Sequence, residues 1–178
     1  MRRAYESPVW TMPMLTPIPF RPDEAHRRLY RSALGQFATG VTVITTMTDD
    51  GPTGMTVNSF TSVSLDPPLV LWCLADNSQR YDVFSGARTY AINVLHSGQY
   101  ELAMVFAKDG GHFTEANSFA GALGAPVLRD ALAVFECRLE QTVAVGDHSV
   151  IVGRVDQLSY REGDPLIFQG GHFGTFSG

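Results

Sequence analysis

Cysteine is scarce in this chain, which has only two among 178 residues, Cys73 and Cys137. Both fall inside predicted strands, which indicates buried free thiols rather than a framework of disulfides. Free thiols are typical of proteins in a reducing compartment, so a cytoplasmic location is expected.

Long apolar runs and basic clusters are also missing. No apolar run approaches the ~20 residues that a membrane-spanning helix needs. The chain carries 13 basic and 18 acidic residues, a net charge of -5, and has no run of lysine or arginine. This mild acidity disfavours nucleic acid and anionic membranes as partners. A secretion signal is not expected, because Glu6 and several prolines interrupt the apolar residues that follow Arg2 and Arg3.

The common fingerprints of nucleotide, hydrolase and metal sites are absent as well. The sequence has no GxGxxG, no P-loop and no GxSxG elbow. The five histidines are scattered without metal-ligand spacing, at His26, His96, His112, His148 and His172. Chemistry supplied by an organic cofactor fits better than metal or nucleophilic catalysis, because the protein then mainly orients and tunes that cofactor.

One stretch stands out, from Thr53 to Ala75 (TGMTVNSFTSVSLDPPLVLWCLA). Its first part interleaves apolar residues with hydroxyl and amide side chains, at Thr56, Asn58, Ser59, Thr61, Ser62 and Ser64. This pattern predicts a strand over Thr53–Ser62 with one face for a core and the other for a polar, planar ligand. The alternative is a half-exposed edge strand whose serines and threonines face water.

The second part of the stretch begins with a predicted corner at Asp66-Pro67-Pro68. Prolines donate no N–H, so neither is expected inside a strand ladder. The apolar run from Leu69 to Leu74 then predicts a strand buried on both faces.

The remaining sequence predicts an irregular, proline-rich leader, residues 1–22, and one domain, residues 23–178. Asp23 is the expected N-cap of a helix region that Gly40 ends. Other predicted elements are strands at 41–47, 89–95, 133–145, 150–160 and 165–168, helices at 77–84 and 98–107, and a loop at 108–125. Hairpin-connected strands with few helices predict a mainly β fold, a closed or nearly closed antiparallel barrel with peripheral α-helices.

Three segments carry a family resemblance: GVTVIT (Gly40–Thr45), GMTVNSFTSVSLDPPLVLWCL (Gly54–Leu74) and GDHSVIVGRV (Gly146–Val155). In this order and at this spacing they resemble the flavin reductase-like family. Its members are small NAD(P)H:flavin oxidoreductases that serve two-component monooxygenases. The resemblance covers roughly residues 29–173. It implies an antiparallel split β-barrel of Greek-key type that works as a homodimer.

The resemblance also implies a flavin site. The residues that match positions at or near the isoalloxazine ring are Thr53, Gly54, Met55, Thr56, Asn58, Ser59, Cys73, Leu74 and Ala75. Ser78 and Gln79 match the stretch on the flavin phosphate side, where the N-terminus of a helix would bind phosphate. The alternative to phosphate binding is that Asn77 only caps the helix that it precedes.

A loop that ends at a phenylalanine is also part of the implied site. Phe113 ends the loop Lys108–Phe113, in which the family usually has Lys or Arg before the phenylalanine. This chain has His112 there, a departure that puts in doubt a positive charge from the loop at neutral pH.

His148 matches a histidine that faces the flavin where the nicotinamide stacks, so it is the expected catalytic residue. The alternative is a residue that only shapes the Gly146-Asp147-His148 turn. Phe173 is a second residue expected on the nicotinamide side, and its alternative is an aromatic ring packed on the barrel.

The expected function is therefore that of a homodimeric flavin reductase. NADH or NADPH gives a hydride to N5 of FMN or FAD, and the reduced flavin leaves for a separate flavin-dependent monooxygenase. Two other classes are alternatives. One is a split-barrel module that binds flavin or haem without turnover, and the other is an oxidase that keeps its flavin and acts on a small molecule.

Overall fold

The computed structural model describes residues 17–176, which divide into two compact units between Leu34 and Gly35. The described part of the first unit is a short 3-10 turn, Glu24–His26, that continues into helix α1, Arg27–Leu34. Asp23 is the N-cap, as predicted, because its carboxylate accepts a hydrogen bond from the backbone N–H of His26. Most of the predicted leader, residues 1–22, lies outside the described residues.

The predicted end of this helix region at Gly40 is wrong. The helix stops at Leu34, directly before Gly35, which lowers helix stability. Gly40 instead lies in a strand, paired with Ile167. Gly40 is therefore part of an extended segment and does not cap a helix.

The second unit contains two α-helices and twelve strands, all paired antiparallel, within the residues that the structure describes. The helices are α2, Tyr81–Gly86, and α3, Tyr100–Lys108. The strands are β1 Thr39–Gly40, β2 Thr42–Thr48, β3 Gly51–Val57, β4 Thr61–Leu65, β5 Pro68–Ala75, β6 Thr89–Val94, β7 Ser118–Ala120, β8 Pro126–Leu128, β9 Ala133–Val145, β10 His148–Tyr160, β11 Leu166–Gln169 and β12 His172–Thr175. Across residues 17–176, no helix is long and apolar enough to cross a membrane.

The main sheet has seven strands in the order β3-β2-β6-β9-β10-β5-β4. Its side chains show that it curls back on itself. Met55 on β3 packs in the same buried cluster as Val70 and Trp72 on β5, although β3 and β5 stand near opposite ends of the strand order. A flat sheet could not bring these side chains together. The predicted mainly β, antiparallel barrel is confirmed.

A second buried cluster covers the other face of β2. Val43 packs there with Ala103 and Phe106 of α3, whereas Ile44 points into the barrel. Two small sheets, β1-β11-β12 and β7-β8, lie beside the main sheet. Helix α3 is therefore fixed against the barrel wall by Phe106, a fully buried ring.

Several predictions about the Thr53–Ala75 stretch are wrong in detail. The predicted strand over Thr53–Ser62 is two strands, because β3 ends at Val57 and β4 begins at Thr61. Pro68 pairs with Leu65 as the first residue of β5, a place where a missing N–H is tolerated. Within the chain β5 is buried on one face only, since burial alternates along it.

Besides β1, three short strands were not predicted. β7 lies inside the predicted loop at 108–125, β8 follows that loop directly, and β12 lies in the glycine-rich tail. The last long strand also begins earlier than predicted, at His148 instead of Val150. Short strands of three or four residues carry too little alternation to be recognised from the sequence.

A buried asparagine holds the β7-β8 sheet to the main sheet. Asn93 on β6 is fully buried, and its amide nitrogen donates to the Val43 carbonyl at 2.9 Å and to Thr45 Oγ1 at 3.1 Å. Its carbonyl oxygen accepts from the Leu128 N–H at 2.8 Å. All three bonds cross between elements far apart in sequence.

We expect Asn93→Leu to lower the free energy of unfolding by about 2–3 kcal/mol, because buried partners are left without a hydrogen bond. Urea denaturation followed by circular dichroism measures this. The control is Gln157→Leu, the same loss of an amide at an exposed position of β10. Equal stability of the Asn93→Leu variant and the wild type would contradict the assigned role.

Candidate functional site

Strand β3 passes α3 at a point where only glycine fits. A Cβ atom on Gly54 would lie 2.7 Å from Cδ1 of Phe106, well inside van der Waals contact. The Gly54 N–H donates to the carbonyl of Gly110 at 2.9 Å. The predicted ring-lining residue Gly54 thus joins β3, α3 and the loop after α3.

Arg80 ties β3 to the end of α3 from the other side. Its Nη1 donates to the carbonyl of Gly54 at 2.7 Å and to that of Phe106 at 3.0 Å. Its Nη2 donates to the carbonyl of Ala107 at 3.1 Å. Burial lowers the pKa of the Arg80 guanidinium from its ordinary value, and the nearby Asp109 carboxylate opposes that change. Sequence reasoning missed this residue, although it directly follows the predicted phosphate-side residues.

A polar groove of about 530 Å³ opens beside Arg80. Its lining comprises Thr53, Gln79, Arg80, Lys108, Asp109, Gly110 and Gly111. Two of the predicted flavin-binding residues, Thr53 and Gln79, therefore meet there. The described lining carries two cationic side chains and one carboxylate. Small residues and cations in a groove provide the donors that an anionic ligand needs.

The predicted helix cap at 77–79 is wrong. Helix α2 has six residues and begins at Tyr81, and its N-cap is Arg80, which makes no side-chain capping bond. Ser78 instead accepts from the Arg80 N–H at 3.3 Å and donates towards the Met55 sulfur at 3.7 Å. The groove therefore depends on side chains more than on a helix N-terminus.

The loop after α3 places its two predicted residues differently. Phe113 packs edge-on against Phe106, with ring centroids 5.0 Å apart. His112 is exposed and is not among the residues that line the polar groove. Phe113 thus supports the wall behind Gly54.

A smaller cavity of about 150 Å³ lies at the other end of β3. Val41, Thr56, Val57, Asn58, Phe168 and Phe173 line it, so three predicted site residues meet there. Thr56 is held by a hydrogen bond to the Ala103 carbonyl at 2.6 Å. The exposed amide of Asn58 has no hydrogen-bond partner among residues 17–176. Phe173 also packs on Phe168, 5.0 Å between centroids.

Ser59 fixes the chain where it crosses from β3 to β4. Its hydroxyl accepts from the Cys73 N–H at 2.9 Å and donates to the Cys73 carbonyl at 3.2 Å. Burial raises the pKa of the half-buried Cys73 thiol, which keeps it protonated and a poor nucleophile. The side chain of Leu74 is fully buried in the barrel core, so the structure does not bring it to the surface.

His148 lies at the end of β10 that meets the 76–81 segment. It pairs with Ala75 of β5, and its Nδ1 is 2.8 Å from the carboxylate of Asp147. Its side chain is 45% exposed, so the ring is accessible. The next residue, Ser149, lies 2.8 Å from the Tyr81 hydroxyl. The structure therefore brings His148 next to predicted residue Ala75 and close to the segment that carries Arg80.

Metal chemistry has no visible support in this region. Among residues 17–176 no group of three or more His, Cys, Asp or Glu side chains could hold a metal ion. The described surfaces combine a cationic groove, a polar strand with one unpaired amide, and an accessible histidine. Such a set can bind and orient a planar anionic cofactor.

Comparisons with known proteins agree on one family. The family model described as "Flavin reductase like domain" matches residues 34–177. The chain is 49% identical over 158 residues to the FMN reductase (NADH) SmoA of Agrobacterium fabrum, covering 89% of this chain and 91% of that protein. It is 39% identical to the reductase subunit HsaB of a flavin-dependent monooxygenase of Rhodococcus jostii, covering 82% of this chain and 76% of that one.

A solved structure gives the same result. The Streptomyces globisporus NADH:FAD oxidoreductase SgcE6, in complex with NAD and FAD fragments, superposes with a TM-score of 0.80. It is 35% identical, and the match covers 87% of this chain and 95% of that one. By sequence and by fold, the chain belongs to the flavin reductase-like family.

Proposed function

We propose that this protein is an NADH-dependent flavin reductase that supplies reduced FMN or FAD to a separate flavin-dependent monooxygenase. The observation that carries the proposal is the arrangement along and just after β3, where a cationic groove, a glycine packed against Phe106 and an unpaired amide follow one another. The names of the relatives agree with it. One is an NADH-dependent FMN reductase and another is the reductase subunit of a monooxygenase.

The flavin fits the residues present. Its ring needs backbone and small polar groups at its edge, which β3 from Gly54 to Val57 offers together with the unpaired amide of the next residue, Asn58. Its phosphate end needs cations, which the groove supplies. When bound, the flavin contributes N5, the atom that accepts a hydride from the nicotinamide.

His148 and Phe173 are the proposed nicotinamide-side residues. Hydride transfer needs the two reacting atoms about 3–3.5 Å apart in a dry stack, and no acid or base on the donor side. The work of the chain is therefore to orient the two rings. The accessible His148 imidazole can stack on or hydrogen-bond the nicotinamide, while the half-buried Phe173 ring can exclude water.

Asn58 offers a direct test of the flavin edge. We expect Asn58→Leu to weaken FMN binding about tenfold to a hundredfold without unfolding the protein, because a hydrogen bond to a buried partner typically contributes ~1–3 kcal/mol. Fluorescence titration with FMN measures the dissociation constant. Gln157→Leu is the control, with the same change at an exposed strand position. An unchanged constant for Asn58→Leu would place the ring elsewhere.

The protein is further proposed to be a cytoplasmic homodimer. Its two free cysteines suit a reducing compartment. Large apolar side chains are exposed on the long β9-β10 hairpin, at Val143, Val145, Leu158 and Tyr160. Such patches are typical of protein interfaces. We expect a dimer at micromolar concentration in equilibrium sedimentation, and a fully active monomer would contradict this.

The proposed activity is tested by NADH oxidation with and without added free flavin. Purified protein is expected to oxidise NADH only after FMN or FAD is supplied. Oxidation at the full rate without added flavin would favour an oxidase that keeps its cofactor. Flavin binding without NADH oxidation would favour a binding module.

A further inference from the structure

We propose that Arg80 is the phosphate-binding residue of this site, and that it takes the place of the Lys or Arg that the family usually has where this chain has His112. The assignment rests on the proposed function, because the phosphate is that of the flavin. It concerns a side chain that neither the motif pattern nor the family resemblance pointed to.

Arg80 has more hydrogen-bond donors than its contacts within the protein use. An arginine has five N–H donors and no acceptor. Three are used on the carbonyls of Gly54, Phe106 and Ala107. The Nε–H and one N–H of Nη2 have no partner among residues 17–176. A guanidinium held rigidly by three carbonyls, with two donors left over, is pre-organised for a phosphate.

The loop after α3 packs closely against Arg80 and Thr53. A Cβ atom on Gly110 would lie 2.7 Å from Thr53 Oγ1 and 3.1 Å from Arg80 Nη1. Only glycine therefore fits here, and the loop backbone lies directly against the two side chains. The Thr53 hydroxyl makes no hydrogen bond within the described residues, so it can donate into the groove that it lines together with Arg80. A phosphate in that groove can thus meet both groups.

The charges of the groove favour an anion. Lys108 adds a second cation to the lining. Asp109 is the one carboxylate, and it already accepts a hydrogen bond from the Gly111 N–H at 3.0 Å. The lining therefore keeps one positive charge in excess. His112 is exposed and lies outside this lining.

The experiment compares FMN with riboflavin, which has the same ring but no phosphate. Dissociation constants of both are measured for the wild type, Arg80→Gln and Arg80→Lys. Arg88→Gln is the control, because Arg88 is exposed and does not line the groove. We expect the wild type and the control to bind FMN about tenfold or more tighter than riboflavin, since hydrogen bonds between charged groups are the strong ones.

In Arg80→Gln the preference for FMN over riboflavin should nearly disappear. In Arg80→Lys the preference should lie between those of the wild type and Arg80→Gln, because lysine keeps the charge but loses the planar guanidinium. A purely structural role would weaken both ligands alike and leave the preference unchanged, which would overturn the assignment. If Arg80→Gln does not fold, Arg80→Lys alone decides, since an unchanged FMN preference in it would also overturn the assignment.

A wild-type measurement separates this proposal from the proposed function. Inorganic phosphate, at constant ionic strength, is expected to compete with FMN and not with riboflavin. Equal binding of FMN and riboflavin by the wild type would reject a phosphate site while leaving flavin reduction intact. Binding of neither ligand would reject the proposed function, and the phosphate site with it.

Discussion

Replacing Gly54 by alanine is expected to damage both the fold and the flavin site. The added methyl would lie 2.7 Å from the Phe106 ring. That ring is fully buried and packs edge-on against Phe113, so it cannot turn away. We expect the free energy of unfolding to fall by about 3 kcal/mol, as overpacked cores typically do.

The same change should raise the FMN dissociation constant about tenfold or more, because β3 must shift and carries the proposed ring-lining groups. Urea denaturation and FMN titration measure the two effects. Gly40→Ala is the matched control, a strand glycine with nothing within 4 Å of the added Cβ. Adding Phe106→Leu to the Gly54→Ala variant makes room for the methyl, so stability relative to Phe106→Leu alone should recover in part. A Gly54→Ala protein with wild-type stability and affinity would contradict the close contact.

His148→Asn is expected to lower kcat/KM for NADH about a hundredfold, the effect of a small misplacement of reacting groups. Hydride transfer should slow and the Michaelis constant for NADH should rise. Flavin affinity should barely change, because the proposed site of the ring lies along β3. The measurement is anaerobic stopped-flow reduction of bound FMN across a series of NADH concentrations.

The structure makes this substitution decisive. His148 is the first residue of β10, and its side chain contacts only the neighbouring Asp147 carboxylate among the hydrogen bonds of the described chain. Asparagine should fit there without a change of fold. His26→Asn is the control, because His26 makes a similar contact, 2.7 Å from the Asp23 carboxylate. A wild-type rate and NADH dependence for His148→Asn would remove its catalytic role and leave the flavin site standing.

Much of the fold could be read from the sequence because the long strands carry strong patterns. The β9-β10 hairpin follows from two β-branched runs joined at Gly146 and Asp147. The break between β3 and β4 could not be predicted, because the polar and apolar residues keep alternating through Asn58 while the strand ends. β12 was not predicted because Gly174 within it, and Gly170 and Gly171 just before it, are typical of an irregular tail.

The site was predictable only in part, for a related reason. Resemblance to the family indicated Gly54, Asn58 and His148 as site residues. It could not indicate Arg80, whose role depends on three carbonyls that come from β3 and the end of α3. These groups are distant in sequence and meet only in the folded chain. The role of Phe106 could not be predicted either, because its ring meets Gly54 only in the folded chain, where it leaves no room for a side chain.

We propose that flavin is a substrate of this protein and leaves it after reduction. This is tested most directly by mixing the protein anaerobically with a large molar excess of FMN and a larger excess of NADH, and following flavin absorbance. The account predicts that all of the FMN is reduced over many turnovers, with NADH consumed in equal amount. Reduction that stops after one flavin per protein chain would contradict it, because the flavin would then be a retained cofactor.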